Sequence, residues 1–277
     1  MTDFRLFDYH LHLARLPHAE KLAIELAKRG YYFNTIACEP WEWALTQEIF
    51  KKHSELGPQT RSYLSFGIHP MIAATTGKTE ISELRQILEQ HPFASVGECG
   101  LDRRYPGYEP GGAQENLFFK QASMALQLGR DLQIHCVGDY DRMVKILKDA
   151  GFGTTGTESC SHTRPIFHRF GGNKNTVKEG VKMGGLFSLH EHSFRRKSVV
   201  EAIGFIPDEN IRFETDADES FKIDKNFGDL PLFSTELSIT PEQTAAALEE
   251  KLKATHNLWL KSIVPKDPGN VVSIING

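Results

Sequence analysis

Two histidines with one residue between them are the first side chains in this sequence whose type and spacing could do chemistry. His10 and His12 follow a short apolar run near the start of the chain. Side chains two positions apart on a strand point to the same face, so both imidazoles could reach one cation. The pair is weak evidence by itself, because the chain has 12 histidines and contains a second such pair, His190 and His192.

Further apolar runs end in a residue of a type that commonly binds metal. These residues are Glu98, His135, His168 and Asp216. Each alone is more often a capping or hydrogen-bonded residue than a ligand. Together with the histidine pair they form a set of nitrogen and oxygen donors that suits Zn²⁺, Mn²⁺, Fe²⁺, Co²⁺ or Mg²⁺. A set of this kind with two carboxylates could hold two ions about 4 Å apart.

The elements that must position these residues alternate between strands and helices. Runs rich in β-branched and aromatic residues predict eight strands, at 5–8, 31–38, 61–68, 94–98, 132–136, 165–168, 186–189 and 211–214. Apolar residues at helical spacing predict helices after them, at 19–29, 41–52, 81–90, 113–128, 142–149, 176–183, 197–203 and 241–254. This arithmetic over about 250 residues is typical of a (β/α)8 TIM barrel.

A doubly wound open sheet shows the same alternation and is the competing fold. It usually has fewer strands, and the glycine-rich turn that binds dinucleotides is absent from this sequence. We therefore expect an α/β protein with one TIM-barrel domain over residues 1–277. In such barrels the chemistry lies at the carboxyl ends of the strands, which is where the histidines and carboxylates fall.

The composition excludes several classes of protein. The chain has 277 residues, of which 40% are hydrophobic and 25% charged, and its net charge is −4. Disorder and collagen-like repeats are excluded, and no positive field over the whole protein attracts nucleic acid. Four cysteines without a close pair make no disulfide framework. Since neither a secretory leader nor a transmembrane run is recognisable, we expect a cytoplasmic protein with no membrane partner.

Six stretches of the chain carry a resemblance to a known family. In order they are FDYHLHL (7–13), FGIHP (66–70), VGECGLD (96–102), QENLFFKQASMALQLGRDLQIH (114–135), HRFGG (168–172) and ETDA (214–217). With these stretches the chain resembles the TatD family of metal-dependent hydrolases, within the amidohydrolase superfamily. The resemblance implies a TIM barrel that binds two divalent metal ions, Mg²⁺, Mn²⁺ or Zn²⁺, without a carboxylated lysine.

The resemblance also implies roles for individual residues. Glu98 would bridge both ions, and the other ligands would divide between two sites, with His10, His12 and Asp216 at one and His135 and His168 at the other. Asp216 would also orient the attacking water and accept its proton, and His69 would lie near the substrate phosphate. The implied reaction is hydrolysis of phosphodiester bonds in DNA by metal-activated water, the reaction of a deoxyribonuclease.

The chain departs from the family pattern at several positions around the expected site. Val137 stands where an arginine commonly follows the histidine of the fifth strand, and Arg142, one helical turn further on, could replace its contact with substrate. The family pattern does not include His190 and His192, which we interpret as part of a solvated loop. The loop at 151–163 is long and polar.

The substrate is the least defined of these expectations, because residues 221–239 lack the segment that usually contacts substrate in the family. A hydrolase of another small ester, amide or lactone on the same metal site is one alternative. A non-catalytic member that binds nucleic acid or a protein partner is another. The presence of the complete ligand set disfavours the non-catalytic alternative.

We predict that His168, and not His162, is the metal ligand of the sixth strand. An apolar run precedes His168, whereas none precedes His162, which we place in a loop. His168→Ala should therefore weaken metal binding and lower activity by orders of magnitude, and His162→Ala should have a much smaller effect. Elemental analysis and a hydrolysis assay measure both. The opposite ranking would place the sixth strand six residues earlier.

Overall fold

Parallel strands form the centre of the molecule and pair in chain order. The structure is a computed structural model that describes residues 7–55, 62–154, 163–221 and 239–263. Within these residues the strands are β1 Phe7–Leu11, β2 Tyr32–Ala37, β3 Ser62–Phe66, β4 Ser95–Asp102, β5 Leu132–Val137, β6 Pro165–Phe167, β7 Leu186–Leu189 and β8 Ile211–Phe213. Most of their residues are buried, as expected for strands covered on both faces.

Helices follow the strands and cover the outside of the sheet. They are α1 Ala19–Lys28, α2 Pro40–Ser54, α3 Lys78–Gln90, α4 Ala113–Leu128, α5 Tyr140–Ala150, α6 Lys174–Lys182, α7 Lys197–Ile203 and α8 Pro241–Ile263. In α1 the buried side chains Leu22, Ala23 and Leu26 share one face, as helical spacing predicts. In the ranges that the structure describes, no helix combines the length and apolar character needed to cross a membrane.

The residues after β8 close the sheet against β1. Leu11 forms a parallel bridge with Ala217, and the His12 amide donates a hydrogen bond of 2.9 Å to the Ala217 carbonyl. The Asp216 amide donates another, also 2.9 Å, to the His10 carbonyl. The predicted TIM barrel is confirmed, and its closure brings Asp216 beside the two histidines of β1.

Aromatic side chains fill much of the layer between β6, β7 and α6. The Phe167 and Phe187 rings stack with centroids 4.9 Å apart, and Phe170 meets Phe187 edge to face at 5.1 Å. Gly180 of α6 lies against them, and a Cβ at this position would be 2.7 Å from the Phe167 ring. Burying each such ring stabilises the fold by about 1.5–3 kcal/mol, so this packing anchors the half of the barrel that carries His168.

Several predicted boundaries are wrong, and two of the corrections concern the site. The predicted strands at 5–8 and 94–98 continue to Leu11 and Asp102, so His10 and Glu98 lie inside strands instead of at their ends. The last helix continues to Ile263 instead of ending at 254. His10 in β1, and Gly100 and Asp102 in β4, interrupt the pattern of strand-forming residues, because strand propensity favours β-branched and aromatic residues.

β1 and β4, which are longer than predicted, each contain an irregularity next to a candidate ligand. In β4 the step from Val96 to Cys99 spans three residues, whereas the paired step on β5 spans two. The register of β1 shifts in the same way between Asp8 and Leu11. An extra residue of this kind is a β-bulge, which bends the strand and re-aims the neighbouring side chains.

Gly100 makes the close approach of β4 to β5 possible. Its φ is +146° and a Cβ there would lie 2.0 Å from the His135 carbonyl oxygen. We expect Gly100→Ala to lower the free energy of unfolding by at least about 2 kcal/mol, measured by urea denaturation. Gly204 is the control, because its φ is −63° and its Cβ would meet ordinary contacts. Equal losses in both variants would contradict this account.

Candidate metal centre

Glu98 lies at the centre of a buried group of imidazoles. Its Oε2 atom is 3.4 Å from Nε2 of His10 and 3.5 Å from Nε2 of His12. Its Oε1 atom contacts Nδ1 of His135 and is 3.4 Å from Nε2 of His168. The two oxygens of one carboxylate therefore face two different sets of histidines.

Asp216 completes the group on the side of β1. Its Oδ1 atom is 3.6 Å from Nε2 of His12, 3.7 Å from that of His168 and 3.9 Å from that of His10. Its φ of +49° is unusual for a residue other than glycine. Its other oxygen, Oδ2, accepts a hydrogen bond from Arg169.

The structure brings the six ligands expected from the sequence, His10, His12, Glu98, His135, His168 and Asp216, into one buried cluster. His69 joins them, with its Nε2 atom 3.8 Å from Oε1 of Glu98. Donor atoms of His10, His12 and Glu98, and separately those of His69, Glu98 and His135, lie within 4.8 Å of one another. Each of these two trios is compact enough to hold an ion.

Two buried carboxylates behind the histidines were not expected from the sequence. Asp102 accepts a hydrogen bond of 2.9 Å from Nε2 of His135, and Oε1 of Glu214 lies 2.9 Å from Nδ1 of His168. The hydrogen bond to Asp102 favours a proton on Nε2 of His135, and the Glu214 carboxylate lies close to Nδ1 of His168; in both rings the other nitrogen is turned toward Glu98. Asp102 lies in the stretch VGECGLD and Glu214 in the stretch ETDA. The motifs therefore include both residues but do not indicate their role.

A third buried carboxylate, Asp8, ties β1 to the segment after β8. It accepts hydrogen bonds from the His10 amide at 3.2 Å, the Thr215 amide at 3.0 Å and the Tyr31 hydroxyl at 3.0 Å. Burial raises the pKa of Asp8 to about 7, although these hydrogen bonds oppose the shift. The contacts hold the backbone of His10 beside that of Thr215.

The cluster stabilises negative charge on its carboxylates. Burial would raise the pKa of Glu98, but the imidazoles of His168, His10 and His135 hold it well below its usual value. Burial disfavours the charged form of His135 as well, yet Glu98 and Asp102 raise its pKa to about 9. Asp216 and Glu98 raise the pKa of His12 to about 9 against the same penalty. Carboxylates that stay ionised although they are buried can bind a metal cation.

His10 shows that the donor set suits a cation better than hydrogen bonds alone. It is fully buried, and among the described residues neither of its ring nitrogens has a hydrogen-bond partner. Buried polar atoms without partners are rare and require an explanation. Imidazole nitrogens and carboxylate oxygens at this spacing fit a divalent metal ion.

Arg142 contacts Tyr108 and Glu115, whereas the sequence predicted that it would contact substrate. Its Nη2 atom donates a hydrogen bond of 2.6 Å to the Tyr108 carbonyl, and its Nε is 3.1 Å from a Glu115 oxygen. Its guanidinium also lies 4.0 Å from the centroid of the Tyr108 ring. These contacts occupy the side chain in packing α4 and α5 together.

The expectation that His190 and His192 belong to a solvated loop is wrong for His190, which is buried. His190 is 5% exposed, and its Nδ1 accepts a hydrogen bond of 3.1 Å from the His192 amide. His192 contacts Arg169, which joins this segment to the metal centre. His162 and residues 155–162 of the long loop lie outside the described residues.

The described strands form a parallel barrel, and histidines and carboxylates on these strands and on the segments that follow them meet in one buried cluster, which defines a TIM barrel with residue groups suited to binding metal. A family model described as TatD related DNase matches residues 7–226. The chain belongs to the TatD family of metal-dependent hydrolases, as the sequence motifs predicted.

Individual relatives agree with the family model. A Pantoea protein named 3′-5′ ssDNA/RNA exonuclease TatD is 27% identical over 156 residues, which are 54% of this chain and 56% of that protein. The chain thus spans a little over half the length of this relative. Two solved structures share the fold. A TatD family hydrolase from Entamoeba histolytica has a TM-score of 0.68 at 14% identity, over 94% of this chain and 95% of that one. A TatD homologue from Escherichia coli has a TM-score of 0.66 at 21% identity, over 93% and 96%.

We predict that Glu214 supports metal binding through His168. Glu214→Gln should weaken the affinity for Zn²⁺ or Mn²⁺ by about 10- to 100-fold, because a neutral amide holds the proton on Nδ1 of His168 less firmly. Competition with a chelating dye measures the affinity, and circular dichroism checks the fold. Glu179→Gln, which changes a surface ion pair on α6, should leave the affinity unchanged. Unaltered affinity in Glu214→Gln would refute the role of this contact.

Proposed function

We propose that this protein is a metal-dependent nuclease that hydrolyses phosphodiester bonds in DNA. The observation that carries the proposal is the position of Glu98, whose two oxygens face different sets of imidazoles. The name of the Pantoea relative, a single-strand DNA and RNA exonuclease, supports this substrate class. Local charge at the site, and not the net charge of −4, must then attract the substrate.

The donor set would divide into two sites that share Glu98. His10, His12 and Asp216 would hold one divalent ion, and His135 and His168 would hold the other, with Mg²⁺, Mn²⁺ and Zn²⁺ as the candidates. When bound, such a pair lowers the pKa of water and neutralises charge on phosphoryl oxygens. Glu98, which is 2% exposed, would offset part of the positive charge of the ions.

Asp216 is positioned to take the proton of the attacking water. Burial opposes its ionisation, but His168, His12 and Arg169 hold its pKa well below the usual value, so it is a carboxylate at neutral pH. Arg169 binds one oxygen and leaves the other turned toward His10 and His12. The contact with Arg169 fixes the orientation of this oxygen before substrate arrives.

His69 is positioned to donate a hydrogen bond to a phosphate oxygen. Its Nδ1 atom accepts a hydrogen bond of 3.0 Å from the Met71 amide, so in the neutral ring the proton lies on Nε2. Burial lowers the pKa of His69 to about 3, which keeps the ring neutral at pH 7. A ring with its proton on the nitrogen that faces the cluster is a donor to substrate more readily than a metal ligand.

We predict that removing the charge of Glu98 abolishes the reaction. Glu98→Gln should retain the fold but lose nuclease activity by on the order of 100- to 1000-fold, because one substitution affects both ion sites. A chelator should abolish wild-type activity, and Mg²⁺, Mn²⁺ or Zn²⁺ should restore it. Release of nucleotides from short fluorescent single-stranded DNA measures both effects.

The same nucleotide-release assay tests a control variant and shows which results would contradict the proposal. Glu115→Gln removes a partly buried carboxylate that pairs with Arg142 outside the cluster and should cleave DNA as the wild type does. Equal rates in Glu98→Gln and wild type would refute the binuclear mechanism. If metal-loaded wild type releases no nucleotides but turns over an ester or a lactone, the nuclease proposal fails and the hydrolase site stands.

A further inference from the structure

A cavity lined by arginines adjoins the candidate metal centre. It has a volume of about 300 Å³, and its wall includes His135 and His168. Its cationic residues are Arg103, Arg104, Arg169 and Arg196. Of the described residues that line it, none is an aspartate or a glutamate. A concentration of positive charge at this place contrasts with the net charge of −4 for the whole chain.

The arginines come from three different loops at the same end of the barrel. Arg103 and Arg104 directly follow β4, Arg169 follows the ligand His168 after β6, and Arg196 precedes α7. The carboxyl ends of parallel strands meet at one face of a barrel. The fold therefore gathers residues that are up to 93 positions apart in the chain around one cavity.

Carboxylates of the metal centre neutralise two of these guanidinium groups. Arg104 binds Asp102 through Nε at 2.9 Å and through Nη2. Arg169 binds Asp216 and also contacts His192. These two arginines hold residues of the site in place and border the cavity at the same time.

The other two guanidinium groups keep their charge. Arg196 makes a hydrogen bond of 3.1 Å to the Gly171 carbonyl, and within the described residues it has no ion pair. The Arg103 side chain is exposed and has neither a hydrogen bond nor an ion pair to a described residue. The cavity thus presents two positive charges that the described part of the chain does not compensate.

We infer that this cavity binds a second phosphate group of the substrate, beside the phosphodiester at the metal centre, and that this group is the terminal phosphate of a nucleic acid strand. The inference rests on the proposed nuclease function. Guanidinium groups match phosphate oxygens with paired hydrogen bonds. A terminal phosphate has a charge of about −1.5 to −2 at pH 7. This charge balances the two uncompensated guanidinium groups better than the charge of about −1 on an internal phosphodiester.

A phosphate held in this cavity has a consequence for the reaction. Because His135 and His168 belong both to the cavity wall and to the ligand set, the phosphate in the cavity and the one at the metal centre must be close neighbours on a strand. A strand anchored by its end then presents its first phosphodiester for cleavage. The cavity makes the enzyme select strand ends that carry a phosphate.

The test compares three thymidine dinucleotides with the metal-loaded enzyme: one without a terminal phosphate, one with a 5′-phosphate and one with a 3′-phosphate. We expect kcat/KM to be about tenfold or more higher for one phosphorylated form, mainly through KM, and the preferred form identifies the end. Arg103→Gln and Arg196→Gln should each reduce this preference several-fold. Arg195→Gln is the matched control, because Arg195 is exposed, neighbours Arg196 and pairs with Glu191 outside the cavity.

A binding measurement separates this inference from the proposed function. Calorimetry with thymidine 5′-phosphate and thymidine 3′-phosphate, which have no phosphodiester to cleave, reports binding even if no dinucleotide is hydrolysed. Binding that weakens in Arg103→Gln and Arg196→Gln but not in Arg195→Gln, without any cleavage, would support the cavity and reject the nuclease. Cleavage of all three dinucleotides with equal kcat/KM would overturn the inference and leave the nuclease intact. Neither cleavage nor arginine-dependent binding would overturn both.

Discussion

The buried charge of Glu98 is the interaction on which the rest of this structure depends. A carboxylate removed from water costs several kcal/mol unless nearby groups compensate it. Here the compensation comes from imidazoles on other strands, among them His10 on β1 and His135 on β5. Side chains from opposite sides of a sheet reach one carboxylate only if the sheet curves back on itself. The charge of Glu98 is therefore compensated only in the closed barrel, and the same closure assembles the candidate metal centre.

Charges alternate outward from this centre. The histidines surround Glu98, the carboxylates of Asp102 and Glu214 lie behind them, and Arg104 lies behind Asp102. Each layer neutralises the one inside it, which reduces the cost of burying so many ionisable groups. Each layer also fixes the orientation of the next, so that the nitrogens turned toward Glu98 are held before any ligand arrives.

Arg169 joins the ligand set to the arginine cavity. Its backbone amide donates a hydrogen bond of 2.6 Å to Glu214, and its side chain binds Asp216. One residue thus contacts both Glu214, which lies beside His168, and Asp216, for which we propose a role in proton transfer. The chain has a net charge of −4, and the loops after β4, β6 and β7 nevertheless place arginines next to the buried cluster.

The sequence alone determined the barrel and singled out six candidate ligands, because strand and helix periodicity and the residues at the ends of apolar runs are local properties of the chain. Only the tertiary structure decided how these ligands meet. The bulges in β1 and β4 depend on the pairing of each strand with its neighbour, which residue order does not reveal. Long-range partners likewise decided that Asp102 and Glu214 orient histidines, that Arg142 binds Glu115 and that His190 is buried. Contacts across the barrel form only when the barrel closes, because closure brings together strands that are far apart in the sequence.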